Sequence, residues 1–169
     1  MMTMDERIKV NTADFAIGVS PQILLTVGVG SCVAVCLYEK TRKIGALMHI
    51  MLPAYLGMSA IQPSQVSMIG QGQLNPLRFA DTALGFAIEE LAKRGVVKET
   101  LTAKLVGGAQ MFAAFGPEND VGARNVEEIE RILSIFGIPI VGRDIRGSIG
   151  RSLEFDLDTG LIKISTKVR

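Results

Sequence analysis

The sequence is poor in the residues from which proteins build metal sites and covalent chemistry. Among 169 residues it has one histidine, two cysteines and no tryptophan. A structural zinc site takes four ligands, mostly cysteine and histidine, so this composition predicts no metal. Two cysteines in a reducing compartment are more often free thiols than a disulfide. Catalysis by a thiol or an imidazole is therefore limited to these three residues.

An excess of charge of one sign is also missing. Eighteen basic residues balance seventeen acidic ones, for a net charge of +1, and no cluster of lysine or arginine stands out. Binding to nucleic acid or to anionic membranes usually needs a basic patch, so we expect neither partner. The N-terminus carries charges where a signal peptide is apolar, and no run of about 18 apolar residues follows. We expect a soluble, cytoplasmic protein.

The chain is 48% hydrophobic, which is enough to bury one core, and we treat residues 1–169 as a single domain. Short apolar runs typical of strands are interrupted by two amphipathic segments. This order favours an α/β fold of the mixed, layered α+β kind over a doubly wound parallel sheet. Strands are predicted at residues 8–17, 23–27, 33–38, 44–52, 101–106, 138–141, 152–157 and 161–165.

The two helices are predicted from apolar spacing and from residues typical of helix ends. The first is expected over residues 75–94, with Asn75 as its N-cap, and the second over residues 125–136, with Asn125 as its N-cap. Residues 54–73 show no sustained period and are predicted to form a long loop. A loop of this length in a compact domain is usually functional or mobile.

The stretch from residue 26 to residue 53 contains both cysteines and the histidine. Its two apolar runs predict a β-hairpin. If residues 40 and 41 form a two-residue loop, Cys32 and His49 become direct cross-strand neighbours, with Cβ atoms about 4.5–5.5 Å apart. A shift of one residue would place them on opposite faces. Cys36 shares the strand face of Cys32 but lies beyond disulfide reach, at about 3.3 Å per residue.

A thiol and an imidazole in this arrangement suit nucleophilic catalysis. The thiolate is the strong nucleophile, and a neighbouring imidazole can accept the thiol proton and later pass it to a leaving amine. Cys32 and His49 fit these two roles. Gly30 and Ser31 lie in a glycine-containing turn, whose backbone N–H groups can bind a developing oxyanion.

The imidazole needs a third group to orient it. Thr26, at the end of the preceding strand, carries a suitable hydroxyl, and Asp81 and Asp144 are the alternatives. A purely structural role is open for each of the three principal candidates. A cysteine on an apolar strand is most often a small core residue, a buried histidine can be satisfied by backbone groups, and threonine is common in strands. Cys36 is predicted to be a core residue.

Six short motifs follow one another along residues 24–165. They are T-V-G-V-G-S-C-V-A-V-C-L-Y from Thr26, H-I-M-L-P from His49, F-A-D from Phe79, A-K-L-V-G-G-A from Ala103, G-A-R-N-V from Gly122 and D-x-x-G-x-x-G-R from Asp144. Each motif alone is weak, but the series with these separations is specific. Together they resemble the chemoreceptor glutamine deamidase family, CheD.

The resemblance implies a thiol-dependent amidohydrolase that converts selected glutamine side chains of methyl-accepting chemotaxis receptors to glutamate and releases ammonia. On this basis Cys32 is the nucleophile, His49 the general base and acid, and Thr26 the third member of a triad, and no cofactor is required. The resemblance also implies a layered α/β fold similar to that of deamidating bacterial toxins. A further implied partner is the signalling phosphatase CheC, which competes with the receptors.

Alternatives to deamidation remain open at this stage. The chain can be a non-catalytic adaptor that regulates the phosphatase, or another thiol enzyme such as a peptidase or a transglutaminase. A receptor methyl ester presents a similar carbonyl, so methylesterase activity is an expected side reaction. The sequence departs from the family pattern at Arg146, where a glycine is expected; this affects a local turn and not the proposed triad.

Overall fold

The computed structural model describes residues 6–54 and 75–166. Within these residues the strands are β1 (Arg7–Lys9), β2 (Phe15–Val19), β3 (Ile23–Val29), β4 (Val33–Glu39), β5 (Ile44–Ile50), β6 (Leu101–Gly107), β7 (Ile140–Ile145), β8 (Arg151–Asp156) and β9 (Ile162–Thr166). The helices are α1 (Ala80–Lys93) and α2 (Val121–Phe136). Short 3₁₀ turns lie at Pro76–Arg78, Lys98–Thr100, Ala113–Phe115 and Pro117–Asn119. The predicted α/β class is confirmed.

The strands form two sheets. One has the order β1-β3-β8-β9 and the other the order β2-β5-β4-β6-β7. The β1–β3 and β6–β7 pairs are parallel, and the remaining pairs are antiparallel. Both sheets are therefore mixed, as expected for a layered α+β arrangement.

The five-stranded sheet lies in the middle of the molecule. Along β4, Val33, Val35 and Leu37 pack in a core with residues of both helices. The alternate residues Ala34 and Cys36 pack in a second core with residues of the four-stranded sheet. Because successive side chains of a strand point to opposite faces, this strand is apolar throughout. The two cores make a three-layer molecule, with the helices on one side of the central sheet and the second sheet on the other.

The predicted single strand at residues 8–17 is two strands. β1 lies at the edge of the four-stranded sheet and β2 at the edge of the five-stranded sheet. The chain crosses from one sheet to the other between them, and Ala13 adopts a left-handed conformation with φ of 58°. The prediction of an edge strand is right for each piece, but the crossing was missed because it has no glycine or proline.

Helix α1 begins later than predicted. Asn75 does accept a hydrogen bond from the Leu77 N–H, at 3.0 Å, but it caps only a 3₁₀ turn. Phe79 then becomes extended, with φ of −110° and ψ of 140°, and forms a parallel bridge with Leu52. The α-helix starts at Ala80, after this bridge. Neither helix in the described part of the chain is long and apolar enough to span a membrane.

The start of helix α2 also differs from the prediction. Asp120 is its N-cap and accepts a hydrogen bond from the Ala123 N–H at 2.9 Å. Asn125 therefore lies inside the helix, where it is fully buried. The predicted end is confirmed, since Gly137 adopts the left-handed conformation typical of a helix C-terminus, with φ of 72°.

The predicted β4–β5 hairpin is present, but its register is two residues away from the predicted one. The loop has four residues, because Glu39 pairs with Ile44. The Glu39 carboxylate accepts hydrogen bonds from two backbone N–H groups of that loop, which stabilises the wider turn. His49 consequently pairs with Ala34 and not with Cys32. The loop predicted at residues 54–73 lies, after its first residue, outside the described residues.

Candidate functional site

The three residues proposed from the sequence lie at one end of the interface between the two sheets. Thr26 is on β3 of the four-stranded sheet, His49 is on β5 of the central sheet, and Cys32 immediately precedes β4. Thr26 and His49 are both 0% exposed, and Cys32 is a partly exposed free thiol. The buried polar side chains of Thr26 and His49 need hydrogen-bond partners in this apolar interface.

A short chain of hydrogen bonds fixes the His49 ring. The Thr26 Oγ1 atom lies 2.8 Å from His49 Nδ1 and donates to the Val10 carbonyl at 2.7 Å. A hydroxyl has one proton, and a carbonyl can only accept. The Thr26 proton therefore goes to Val10, so the threonine oxygen accepts from Nδ1–H. This selects the tautomer in which His49 Nε2 carries a lone pair.

The Nε2 atom of His49 is buried and has no hydrogen-bond partner among the described residues. Burial lowers the pKa of His49 below its ordinary value. Burial also raises the pKa of the Cys32 thiol, and a hydrogen bond with the backbone of the same residue partly opposes this rise. At neutral pH the pair is thus a thiol and a neutral imidazole, which is the starting state for base-assisted attack.

Cys32 and His49 share one face of the central sheet. Cys32 packs against the core between the sheets, which also contains Ala34 and Cys36. Ala34 is opposite His49, and Cys32 precedes Ala34 by two residues; a regular ladder continued to Cys32 would separate the Cys32 and His49 Cα atoms by about 7–8 Å. The predicted direct pairing was wrong, but a shift of two residues preserves the face. Cys32 and His49 therefore still lie on the same face of the central sheet.

The backbone around Cys32 is held by the glycine turn that follows β6. The Cys32 carbonyl accepts from the Gly108 N–H at 2.7 Å, and the Gly30 carbonyl accepts from the Ala109 N–H at 3.0 Å. Gly107 has φ of 115°, and a Cβ atom there would lie 2.5 Å from the Cys32 carbonyl oxygen. Glycine is required at this position because the backbone approaches the Cys32 segment so closely.

Arg146 occupies a left-handed position in the turn where the family pattern has glycine. Arg146 adopts a left-handed conformation with φ of 69°, which normally favours glycine. Its guanidinium group compensates by bonding the Gly108 carbonyl at 2.5 Å and both carboxylate oxygens of Asp120 at 3.1 and 2.5 Å. The hydrogen bond from Arg146 lowers the pKa of Asp120. This network connects the glycine turn to the N-terminus of α2.

Of the three groups considered for orienting the imidazole, Thr26 is the one that bonds the His49 ring. Asp144 instead accepts a hydrogen bond from Arg151 at 3.2 Å. Asp81 is buried in the first turn of α1.

Asn125 was missed as a residue of the site. Its side-chain amide donates to the Ser31 carbonyl and to the Met51 carbonyl, each at 2.9 Å. It thereby bonds the backbone next to Cys32 and the residue that follows the strand carrying His49. The available signal was an asparagine on the apolar face of an amphipathic helix, which we interpreted instead as a helix cap.

A small cleft opens beside Ser31. It has a volume of about 60 Å³ and is lined in part by Met111, Phe112 and Gly122. Met111 is 44% exposed and Phe112 71% exposed. Large exposed apolar side chains next to a cleft are typical of surfaces that bind other proteins.

The fold and the site together define an α/β protein with a candidate cysteine–histidine–threonine hydrolase centre. The chain belongs to the CheD family. A profile of that family, described as CheD chemotactic sensory transduction, matches residues 63–166.

Relatives extend the similarity to nearly the whole chain. A protein of Clostridium novyi named "Probable chemoreceptor glutamine deamidase CheD" is 39% identical over 168 residues, which cover 98% of this chain and 95% of the relative. A protein of the same name from Oceanobacillus iheyensis is 40% identical, and the alignment covers 93% of this chain and 89% of the relative. A third protein of this name, from Clostridium kluyveri, is 40% identical, and the alignment covers 95% of this chain and 93% of the relative. The family profile matches only residues after the three candidate site residues, so the profile does not test the roles predicted for them.

Proposed function

We propose that the protein is a glutamine deamidase that acts on chemotaxis receptors and converts glutamine side chains to glutamate with release of ammonia. Membership of the CheD family and the names of its relatives support this function. The single observation that carries the catalytic assignment is the buried His49 ring, with Nδ1 held by Thr26 and Nε2 without a partner in residues 6–54 and 75–166. The proposed place of action is the cytoplasm.

In the first half of the proposed reaction, His49 Nε2 accepts the Cys32 thiol proton and the thiolate attacks the side-chain carbonyl of glutamine. Backbone N–H groups around Gly30 and Ser31 hold the oxyanion, an interaction typically worth about 10²–10³ in rate per donor. The tetrahedral intermediate then collapses. The C–N bond breaks, the imidazolium gives its proton to the leaving nitrogen, ammonia departs and a thioester remains.

In the second half, His49 Nε2 takes a proton from water, and the hydroxide attacks the thioester carbonyl. Collapse breaks the C–S bond, and the proton returns from His49 to the Cys32 sulfur. The product is a glutamate side chain and the enzyme is regenerated. In both halves the Nδ1–H to Thr26 hydrogen bond keeps the ring in one orientation. No cofactor takes part in any of these steps.

The experiment that tests this function is an ammonia-release assay. The purified protein is incubated with the cytoplasmic fragment of a chemotaxis receptor from the same cell. We expect ammonia to accumulate with time in proportion to enzyme. A set of such receptor fragments that yields no ammonia would refute the deamidase proposal.

The proposed function includes methylesterase activity as a side reaction. A glutamate methyl ester presents the same carbonyl at the same distance from the chain as glutamine, and attack by Cys32 would give the same thioester with methanol as the leaving group. His49 would protonate the departing methoxide as it does the leaving nitrogen of the amide.

An alternative is that the protein acts mainly as an adaptor for the phosphatase CheC, as the family resemblance implies. The exposed Met111 and Phe112 beside the Ser31 cleft support binding of a protein partner at that cleft. A partner bound there would lie beside Ser31, the residue that precedes Cys32. This reading requires partner binding and signalling to be unaffected by loss of the Cys32 thiol.

Replacement of Thr26 by valine is expected to lower the rate of deamidation about 10-fold to 100-fold, less than the roughly 10⁴-fold seen when a triad carboxylate is removed. Valine has the same shape but no oxygen, so the His49 Nδ1–H loses its acceptor and the useful tautomer is no longer selected. Thr26→Ser keeps the hydroxyl and should retain most of the rate. Equal rates for the two variants in the ammonia assay would exclude Thr26 as the orienting group.

Alkylation of Cys32 by iodoacetamide is expected to accelerate with pH through neutrality and to level off only above the ordinary thiol pKa of about 8.5. The reason is that burial raises the pKa of this thiol, so no stable thiolate exists at neutral pH. The measurement uses the Cys36→Ala protein, which leaves one thiol. A plateau already reached below pH 7 would mean a preformed thiolate–imidazolium pair.

A further inference from the structure

Asn125 has an unusual environment for a residue inside a helix. It is 0% exposed on the face of α2 that packs against the central sheet. Since Asp120 caps the helix, the Asn125 side chain is not needed as a cap. Its two amide hydrogens go to the Ser31 and Met51 carbonyls. Its own Oδ1 atom is buried without a partner in the described residues.

The two carbonyls that Asn125 bonds belong to the two halves of the proposed catalytic pair. Ser31 directly precedes the nucleophile Cys32, and Met51 follows His49 by two residues on the same segment. One planar amide group, with its two hydrogens at a fixed angle, thus connects the segment of the thiol with the segment of the imidazole. Each bond is 2.9 Å long, a normal length for N–H···O.

The connection lies where the strands separate. The last residue pair of the β4–β5 ladder is Val33 with Ile50. Beyond it, the Met51 N–H donates to a carbonyl in the 3₁₀ turn before α1, and the Cys32 carbonyl accepts from the glycine turn. The strands no longer bond each other there. Asn125 supplies the next link across the gap.

We infer that Asn125 is a positioning residue that sets the separation between the Cys32 and His49 segments. This rests on the proposed roles of those two residues. Leucine would fill the site without burying an unpaired Oδ1, but it offers no donor to either carbonyl. Aspartate has the right shape but presents oxygens to both carbonyls. Glutamine carries the donors one methylene further out, so it cannot bond both carbonyls at the same strand separation.

The test compares Asn125→Leu and Asn125→Gln with Ile132→Val, a core change on the same helix that touches neither carbonyl. We expect Asn125→Leu to lower kcat for ammonia release about 10-fold to 100-fold with little change in KM, as a small misplacement of reacting groups does. Asn125→Gln should lower kcat by a smaller factor than Asn125→Leu does. Ile132→Val should keep the kcat of the unsubstituted protein. Both Asn125→Leu and Ile132→Val should lower the melting temperature, so a lower melting temperature alone does not explain a lower kcat.

A second readout does not depend on receptors and so separates this inference from the proposed function. The iodoacetamide alkylation rate of Cys32 is measured at neutral pH, in the Cys36→Ala background, for Asn125→Leu, His49→Gln and the double variant. If Asn125 acts by placing the thiol against His49, the double variant should be no slower than His49→Gln alone.

Three results would overturn the inference. The first is additive effects of the two substitutions on alkylation. The second is a loss of kcat in Ile132→Val equal to that in Asn125→Leu. The third is unfolding of both Asn125 variants, because that would make Asn125 a residue of the fold and not of the site. Absence of ammonia release by the unsubstituted protein would refute the deamidase proposal, while the alkylation cycle would still decide the role of Asn125.

Discussion

Replacement of Cys32 by alanine is expected to abolish ammonia release, with a loss of about 10⁴-fold or more, as for removal of other covalent nucleophiles. Without the sulfur no thioester can form, and the oxyanion site alone leaves little catalysis. Cys32 lies at a partly exposed position before β4, so removal of one atom there should leave the fold intact. The measurements are the ammonia assay and a thermal melt on the same preparation.

Cys36 provides the matched control. It lies four residues further along the same strand face, is 1% exposed, and has its pKa raised by burial. Cys36→Ala should keep full activity and lose about 1 kcal/mol of stability through the small cavity that it leaves. The opposite pattern, with activity lost in Cys36→Ala and kept in Cys32→Ala, would show that Cys36 is the nucleophile and that our assignment of Cys32 is wrong.

The second large effect is expected for His49→Gln, which should lower the rate about 10²-fold to 10⁴-fold, the usual contribution of general acid–base catalysis. Glutamine can keep a hydrogen bond to Thr26 but cannot take the thiol proton or protonate the leaving nitrogen. Because the ring is buried between the sheets, the thermal melt of this variant must accompany the rate. A variant that remains folded with unchanged activity would exclude His49 as the base.

The pH profile gives an independent check of the same residue. A general base must be neutral to act, and burial lowers the pKa of His49. The wild-type rate should therefore be retained at about pH 6.5, the ordinary histidine pKa, and be lost only as the pH falls through the lowered value. This acid limb should be absent in His49→Gln. A limb centred above about pH 6.5 would require a stabilised imidazolium, contrary to the neutral thiol–imidazole pair.

The β4–β5 hairpin shows which structural features local sequence patterns can predict. Its strands were predictable because both faces of β4 and β5 are buried and their apolar runs are continuous. The register was not predictable, because the carboxylate of Glu39 stabilises a four-residue loop that has no glycine signal. The face shared by Cys32 and His49 could still be predicted, since a shift of two residues preserves it.

Long-range contacts account for what the sequence patterns missed. The pairing of β3 with β1 and β8 joins residues far apart in the chain, and it places Thr26 against His49. The interior position of Asn125 depends on carbonyls contributed by two other segments. Its spacing to Glu128 fits a capping box equally well, so the local pattern alone supports the wrong role. The sequence left Thr26, Asp81 and Asp144 open as the orienting group, and the resemblance favoured Thr26; only the fold shows the Thr26–His49 hydrogen bond.

The most direct test of the central claim is peptide mass spectrometry of a receptor cytoplasmic fragment after incubation with the protein or with Cys32→Ala. We predict that specific glutamine residues gain the mass that accompanies replacement of an amide by a carboxyl group, and that they do so only with the wild-type thiol. Main-chain cleavage or incorporation of an amine would identify a different thiol enzyme. Unchanged receptor peptides from every receptor of the cell would contradict the deamidase account and favour the adaptor.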